Sequence, residues 1–153
     1  MKVPITAIAS ATSAPGTEAF SLPQGIVGFP EYTQATLVRH QEELPFFWMR
    51  LQGPTGFINF VVIEPGAIIP DYEPELFDND AAALGLAGPS EALMLTIVTM
   101  RPGTPVEATV NLVGPIVVNR RTGIGRQLVI ANYSRYRARH SLVASRSAAT
   151  KSA

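Results

Sequence analysis

Short runs of β-branched, aromatic and other apolar residues recur along the chain, each bounded by Gly or Pro and each too brief for an ordinary helix. Seven of them read as strands: Thr36 to Arg39, Phe46 to Leu51, Phe57 to Ile63, Leu93 to Met100, Ala108 to Leu112, Ile116 to Val118, and Gln127 to Ala131. Explicit turn signals separate the runs: Gly53-Pro54-Thr55-Gly56, Pro102-Gly103-Thr104-Pro105, Gly114-Pro115 and Arg120-Arg121-Thr122-Gly123. One segment predicts a helix, with Asp78 as cap, the alanine-rich stretch Asn79 to Leu84 as body and Gly85 as its stop. The pattern therefore predicts an all-β fold, a small and mostly antiparallel β-barrel-like domain with one short helix. Curling the sheet is expected because it removes exposed strand edges.

A chain of 153 residues can bury a core without disulfide or metal support, and with no cysteine it has neither disulfides nor thiol chemistry. One domain is expected over residues 1–140, followed by a disordered tail, 141–153, of Ala, Ser and basic residues without periodicity. The stretch Ser10 to Gly16 reads as a hairpin loop or a mobile link. The first twenty residues hold no sustained apolar run, so neither a secretory signal nor a membrane anchor is expected, and the cytoplasm is the expected location.

Net charge is zero but unevenly distributed. All 12 acidic residues lie at or before Glu107, while eight of the 12 basic residues follow it, so the first 107 residues carry a formal −8 and the rest +8. Such an asymmetry either steers charged partners or is neutralised where the two parts interleave.

A search for chemistry finds no coherent set. His40 and His140 stand alone, without cysteine or a second histidine at ligand spacing. Asp78-Asn79-Asp80 opens like a calcium loop, but Ala82, Ala83 and Pro89 stand where further ligands and the turn glycine belong. Gly123-Ile124-Gly125 lies beside Arg121 and Arg126, yet a strand-like run follows it where a phosphate cradle needs a helix, so it reads as a hairpin turn. Asp71, Glu73 and Glu75 could share one strand face, but Pro70 and Pro74 favour a solvated or partner-facing loop over a catalytic pair. No cofactor, metal or enzymatic activity is expected. The basic segment Tyr133, Arg135, Tyr136, Arg137, Arg139 and His140 interleaves aromatics with cations, a pattern shared by RNA-binding surfaces and by ordinary solvated strand ends.

Two segments, Leu22 to Tyr32 (LPQGIVGFPEY) and Asn111 to Asn119 (NLVGPIVVN), place Gly and Pro among apolar β-formers. With GRQLVIANY following them in order, and with the PFFW and DYEPE segments lying between the first two, they make the chain resemble the flagellar assembly factor FliW family. The resemblance spans roughly Phe20 to His140. It departs from the family pattern at Gln24 and Val27, where members often carry an acid and a proline.

The resemblance implies a β-barrel-like protein without enzymatic activity that binds flagellin before export and the RNA-binding translational regulator CsrA. Bound to CsrA, such a factor relieves repression of flagellin translation, and accumulating flagellin draws it away. Glu64, Asp71, Glu73, Glu75, Asp78 and Asp80 form an acidic run without an intervening base and are the expected CsrA-facing element, since negative charge attracts an RNA-binding partner and repels RNA. Phe29, Pro30, Tyr32, Phe47 and Trp48 are the expected flagellin-facing residues, with core packing as the alternative for Phe47 and Trp48 because adjacent strand residues face opposite ways. No direct nucleic-acid contact is expected on this reading. The competing reading is a β-domain that binds RNA through the basic C-terminal region.

Overall fold

The computed structural model describes residues 2–4, 17–39, 46–103 and 107–142. His40, the Ser10 to Gly16 stretch and most of the expected tail lie outside the described residues. In chain order the strands are β1 (Lys2–Pro4), β2 (Thr17–Ser21), β3 (Gln34–Arg39), β4 (Phe46–Gly53), β5 (Gly56–Ile63), β6 (Glu75–Phe77), β7 (Ala92–Arg101), β8 (Glu107–Val110), β9 (Ile116–Asn119), β10 (Ile124–Gln127) and β11 (His140–Ser141). The helix α1 (Asp78–Ala83) follows β6, and 3-10 turns occur at Pro65–Ala67, Pro89–Glu91 and Tyr133–Arg135.

Seven strands close a barrel in the order β7, β5, β4, β3, β2, β10, β9 and back to β7. Every pairing around the ring is antiparallel except β2 with β10. The long β7 makes closure possible because it changes neighbours along its length: Ala92 to Leu95 pair with β9, and Val98 to Arg101 pair with β8. Beyond Val98, β7 thus leaves the barrel wall and carries β8 and β11 outward as a sheet extension.

Two cores lie on opposite faces of this wall. The barrel interior holds Phe20, Leu22, Ile26, Leu37, Met49, Leu51, Val62, Leu93, Leu95, Ile116 and Val118. Outside it, Met94, Val98, Val110 and Val117 pack beneath Tyr72, Leu76, Leu84, Leu128, Ile130 and Leu142. Each fully buried aliphatic side chain removes enough apolar surface from water to contribute about 1.5–3 kcal/mol. Alternation along β7 therefore serves both sides, with Leu93 and Leu95 facing in and Ala92 and Met94 facing out.

Three sequence expectations shift. The strand expected at Gln127 to Ala131 lies earlier, at Ile124–Gln127, because the β9 ladder resumes directly after the turn at Gly123. The strand expected from Ala108 to Leu112 ends at Val110, where Asn111 Oδ1 accepts the Val113 and Gly114 N–H groups at 3.0 and 2.9 Å and turns the chain. Helix α1 starts at Asp78 with Phe77 in the cap position, so Asp78 and Asp80 lie within its first turn. Gly85, at φ +67°, ends it as expected, with its N–H on the Ala82 carbonyl and the Leu86 N–H on that of Ala81. The short β1, β2, β6 and β11 were not marked by the hydrophobic pattern.

Candidate protein-binding groove and acidic loop

The Leu22 to Tyr32 segment folds into three consecutive tight turns, Leu22–Gly25, Ile26–Phe29 and Phe29–Tyr32. Gly25 sits at φ +63°, and a Cβ there would strike the Phe29 carbonyl oxygen and lie 2.7 Å from Pro30 Cα, so only glycine fits. Ile26 and Phe29 then form an isolated bridge closed by the Phe29 N–H on the Ile26 carbonyl at 2.8 Å. Gly28 at φ +90° supplies the third position of this turn and leaves Val27 at its tip, 82% exposed. Phe29 meets Tyr32 and Phe60 edge to face, with ring centroids 5.8 and 5.6 Å apart.

This turn forms one wall of a groove of about 600 Å³ at the point where β7 leaves the barrel. Ile26, Val27 and Phe29 face Phe60, Ile97 and Thr99, while Arg101, Glu107 and Arg139 stand among the charged lining residues. Gln127 joins the two sequence motifs beneath it. Its Oε1 accepts the Val27 N–H at 2.8 Å and its Nε2 donates to the Gly114 carbonyl at 2.9 Å. In the sequence Gln127 stands within GRQLVIANY, and its signal is a polar side chain at the head of the apolar run Leu128 to Ile130.

Of the five aromatic and proline candidates, Phe29, Pro30 and Tyr32 share one turn, and Phe29 reaches the groove. Phe47 packs against the barrel interior, with the Arg39 guanidinium 4.7 Å from its ring. Trp48 faces the other way, 41% exposed and opposite Val38 and Val61 in the flanking strands. The structure thus brings the first three together and separates Trp48 from them.

The acidic candidates are spread over a longer surface. Asp71 and Glu73 are exposed in the loop before β6, Glu75 begins β6, and Asp78 and Asp80 lie in α1. Glu64, at the end of β5, is partly buried; desolvation pushes its carboxyl above the usual range, Arg120 and Arg39 oppose that shift, and Glu18 adds to it. Asp80 reaches Arg126 at 3.9 Å.

The basic segment holds this loop through its neutral groups. Tyr136 Oη accepts the Glu73 N–H at 2.9 Å and donates to the Asp71 carbonyl at 3.3 Å. Asn132 accepts the Glu75 N–H and donates to the Glu73 carbonyl, both at 2.9 Å. The Tyr136 ring meets the buried Tyr72 edge to face at 4.9 Å, and Tyr72 Oη donates to the Leu112 carbonyl at 2.6 Å. Burial raises the Tyr72 hydroxyl well above the ordinary tyrosine value, so it stays a donor. Tyr136 is therefore committed to the loop, and the 3-10 turn at Tyr133–Arg135 interrupts the extended spacing that would align Arg135, Arg137 and Arg139.

The profile of the FliW protein family matches residues 6–142. The chain is 33% identical to the flagellar assembly factor FliW of Leptospira biflexa over 107 residues, 70% of this chain and 69% of that one. With the FliW of Magnetococcus marinus it shares 36% over 117 residues, 76% of this chain and 72% of the relative. The chain belongs to the FliW family. A crystal structure of the flagellar assembly factor FliW superimposes with a TM-score of 0.70 at 33% identity, covering 81% of this chain and 84% of the other. The barrel is thus the FliW fold. Among the described residues no three His, Cys, Asp or Glu side chains gather into a metal site, and no helix is long and apolar enough to cross a membrane.

Proposed function

We propose that this protein is a non-enzymatic, cytoplasmic flagellar assembly factor that binds flagellin and antagonises a CsrA-type regulator, coupling flagellin level to flagellin translation. The observation that carries the reading is the groove built by the Ile26–Phe29 turn, because it gathers apolar and aromatic side chains at one of the two segments that carry the resemblance to the family. Flagellin is assigned to this groove, with Phe29 as its anchor and Pro30 and Tyr32 beside it. CsrA is assigned to the acidic loop, where Asp71, Glu73 and Glu75 project from a backbone clamped by Tyr136 and Asn132 and continue to Asp78 and Asp80. Glu64 has Arg120, Arg39 and Glu18 as its charged neighbours, and its partial burial gives it a lesser part.

The two surfaces lie on different elements, so linked binding is expected to act through overlap of the bound partners or through β7. A pull-down with purified protein, the host's flagellin and its CsrA-like protein tests the reading. Retention of each partner singly, and release of CsrA as flagellin is added, is the expected result; failure to retain either partner overturns it.

A further inference from the structure

Strands β5 and β7 part company halfway along, leaving backbone groups of both strands open. The turn Pro54-Thr55 closes on Gly53 and Gly56, which makes Gly53 with Gly56 a mutually hydrogen-bonded pair. By alternation Ile58, Phe60 and Val62 bond back to β4, while Phe57, Asn59, Val61 and Ile63 turn their N–H and C=O groups toward β7. Val61 and Ile63 find Val98 and Thr96 there. Phe57 and Asn59 find no strand among the described residues. On β7 the same counting turns Thr99 and Arg101 toward Thr109 and Glu107 of β8 and turns Met100 toward the gap.

The result is a fork: beyond Val61 and Val98, two strand edges part with backbone donors and acceptors that no strand among the described residues takes up. Its inner face is continuous with the groove, which Phe60, Ile97 and Thr99 line from these same two strands. Its outer face shows Phe57 and Met100, both about half exposed. Cations border it. Arg101 has one exposed partner, Glu107 at 3.9 Å, and Arg139 makes no ion pair among the described residues.

We propose that the fork is a strand-addition site: the partner segment binds in extended form along Phe57 and Asn59, with alternate apolar side chains entering the groove toward Phe29, Phe60 and Ile97 and a carboxylate directed to Arg101 and Arg139. Main-chain bonds to an open edge supply affinity in this mode, and pockets under alternate side chains supply selectivity. This deepens the flagellin reading, on which it rests, by naming how the bound segment is held.

The test uses the full chain and the host's flagellin, with amide hydrogen exchange read residue by residue. Strand addition protects the Phe57 and Asn59 amides on binding. Asn59→Pro removes the outward N–H and the side-chain acceptor of Arg50 Nε while sparing the β4 backbone ladder, so affinity is expected to fall about tenfold, whereas Asn59→Ala removes only that side chain, keeps the N–H and is expected to bind within about twofold of the parent. Melting curves establish that both variants fold, and exchange on the parent protein stands if the proline variant does not. Flagellin binding without protection of these two amides overturns the inference and leaves the flagellin reading intact; absence of binding by the parent protein overturns both.

Discussion

The Val27 N–H donates to Gln127 Oε1 at 2.8 Å, which ties the exposed turn of the first motif to the start of the last. Because Gln127 Nε2 also holds the Gly114 carbonyl, one side chain secures three segments around the groove. Position 27 suits proline by its place in the turn before Gly28, yet proline would delete the donor. Gln127→Ala is therefore expected to cost about 1 kcal/mol, chiefly by leaving the part-buried Gly114 acceptor unpaired, since water can reach the exposed Val27 donor. Val27→Pro is expected to destabilise despite its favourable turn position, and chemical denaturation of the two variants checks both.

Gly25 and Gly28 both have positive φ but different surroundings. A side chain at Gly25 meets the backbone of Phe29 and Pro30, whereas one at Gly28 meets nothing within 4 Å. Gly28→Ala is expected to cost about 1 kcal/mol for the backbone conformation alone. Gly25→Ala should cost considerably more and should displace Phe29, seen as lost flagellin affinity as well as a lower melting temperature.

Glu64 gives stability a specific pH dependence. Burial raises its folded pKa above the ordinary 4.5, so between that value and the raised one the folded state holds more proton than the unfolded chain. The contribution is fully present below the unfolded pKa and is lost as pH rises through the folded pKa. Glu64→Gln should remove this fall and leave the protein more stable than the parent at neutral pH. Denaturation midpoints measured from pH 4 to 8 decide it, and parallel curves for the two proteins would refute it.

Reversing Asp71, Glu73 and Glu75 together to Lys should weaken CsrA binding and flatten its dependence on salt. The fold should survive, since Tyr136 and Asn132 hold this loop through its backbone. Affinity unchanged at low and high salt would remove the acidic loop from the regulator contact.

Trp48 is the sole tryptophan and lies outside the groove lining. Flagellin seated in the groove should leave its emission maximum nearly unchanged, whereas a clear blue shift on binding would move the contact to the outer face of β4.

Much of this was legible in the sequence where local signals decide structure. The turns at Gly53 to Gly56 and Arg120 to Gly123, the helix stop at Gly85 and the barrel-like sheet all follow from Gly, Pro and alternating apolar residues. What was not legible depends on distant partners. β6 forms as a pairing partner of β1, across more than seventy residues, and its three residues carry no pattern of their own. Phe47 and Trp48 carry equal apolar weight in sequence, and only the register of β4 decides that one faces the barrel interior and the other the outer face. The hold of Tyr136 on the acidic loop is similarly invisible, because its hydroxyl binds main-chain atoms whose residue types are irrelevant to the bond.

From Ala92 to Thr96 every residue of β7 is buried, with the barrel interior on one side and the outer layer on the other. An inserted or deleted residue there would exchange the tenants of both cores at once, presenting Ala92 and Met94 inward and Leu93 and Leu95 outward. Length variation among relatives should therefore collect in the hairpin after Arg101 and leave this stretch of constant length. For the same reason, that hairpin is the place to graft an affinity tag or fluorophore, provided the fork beside it is left clear.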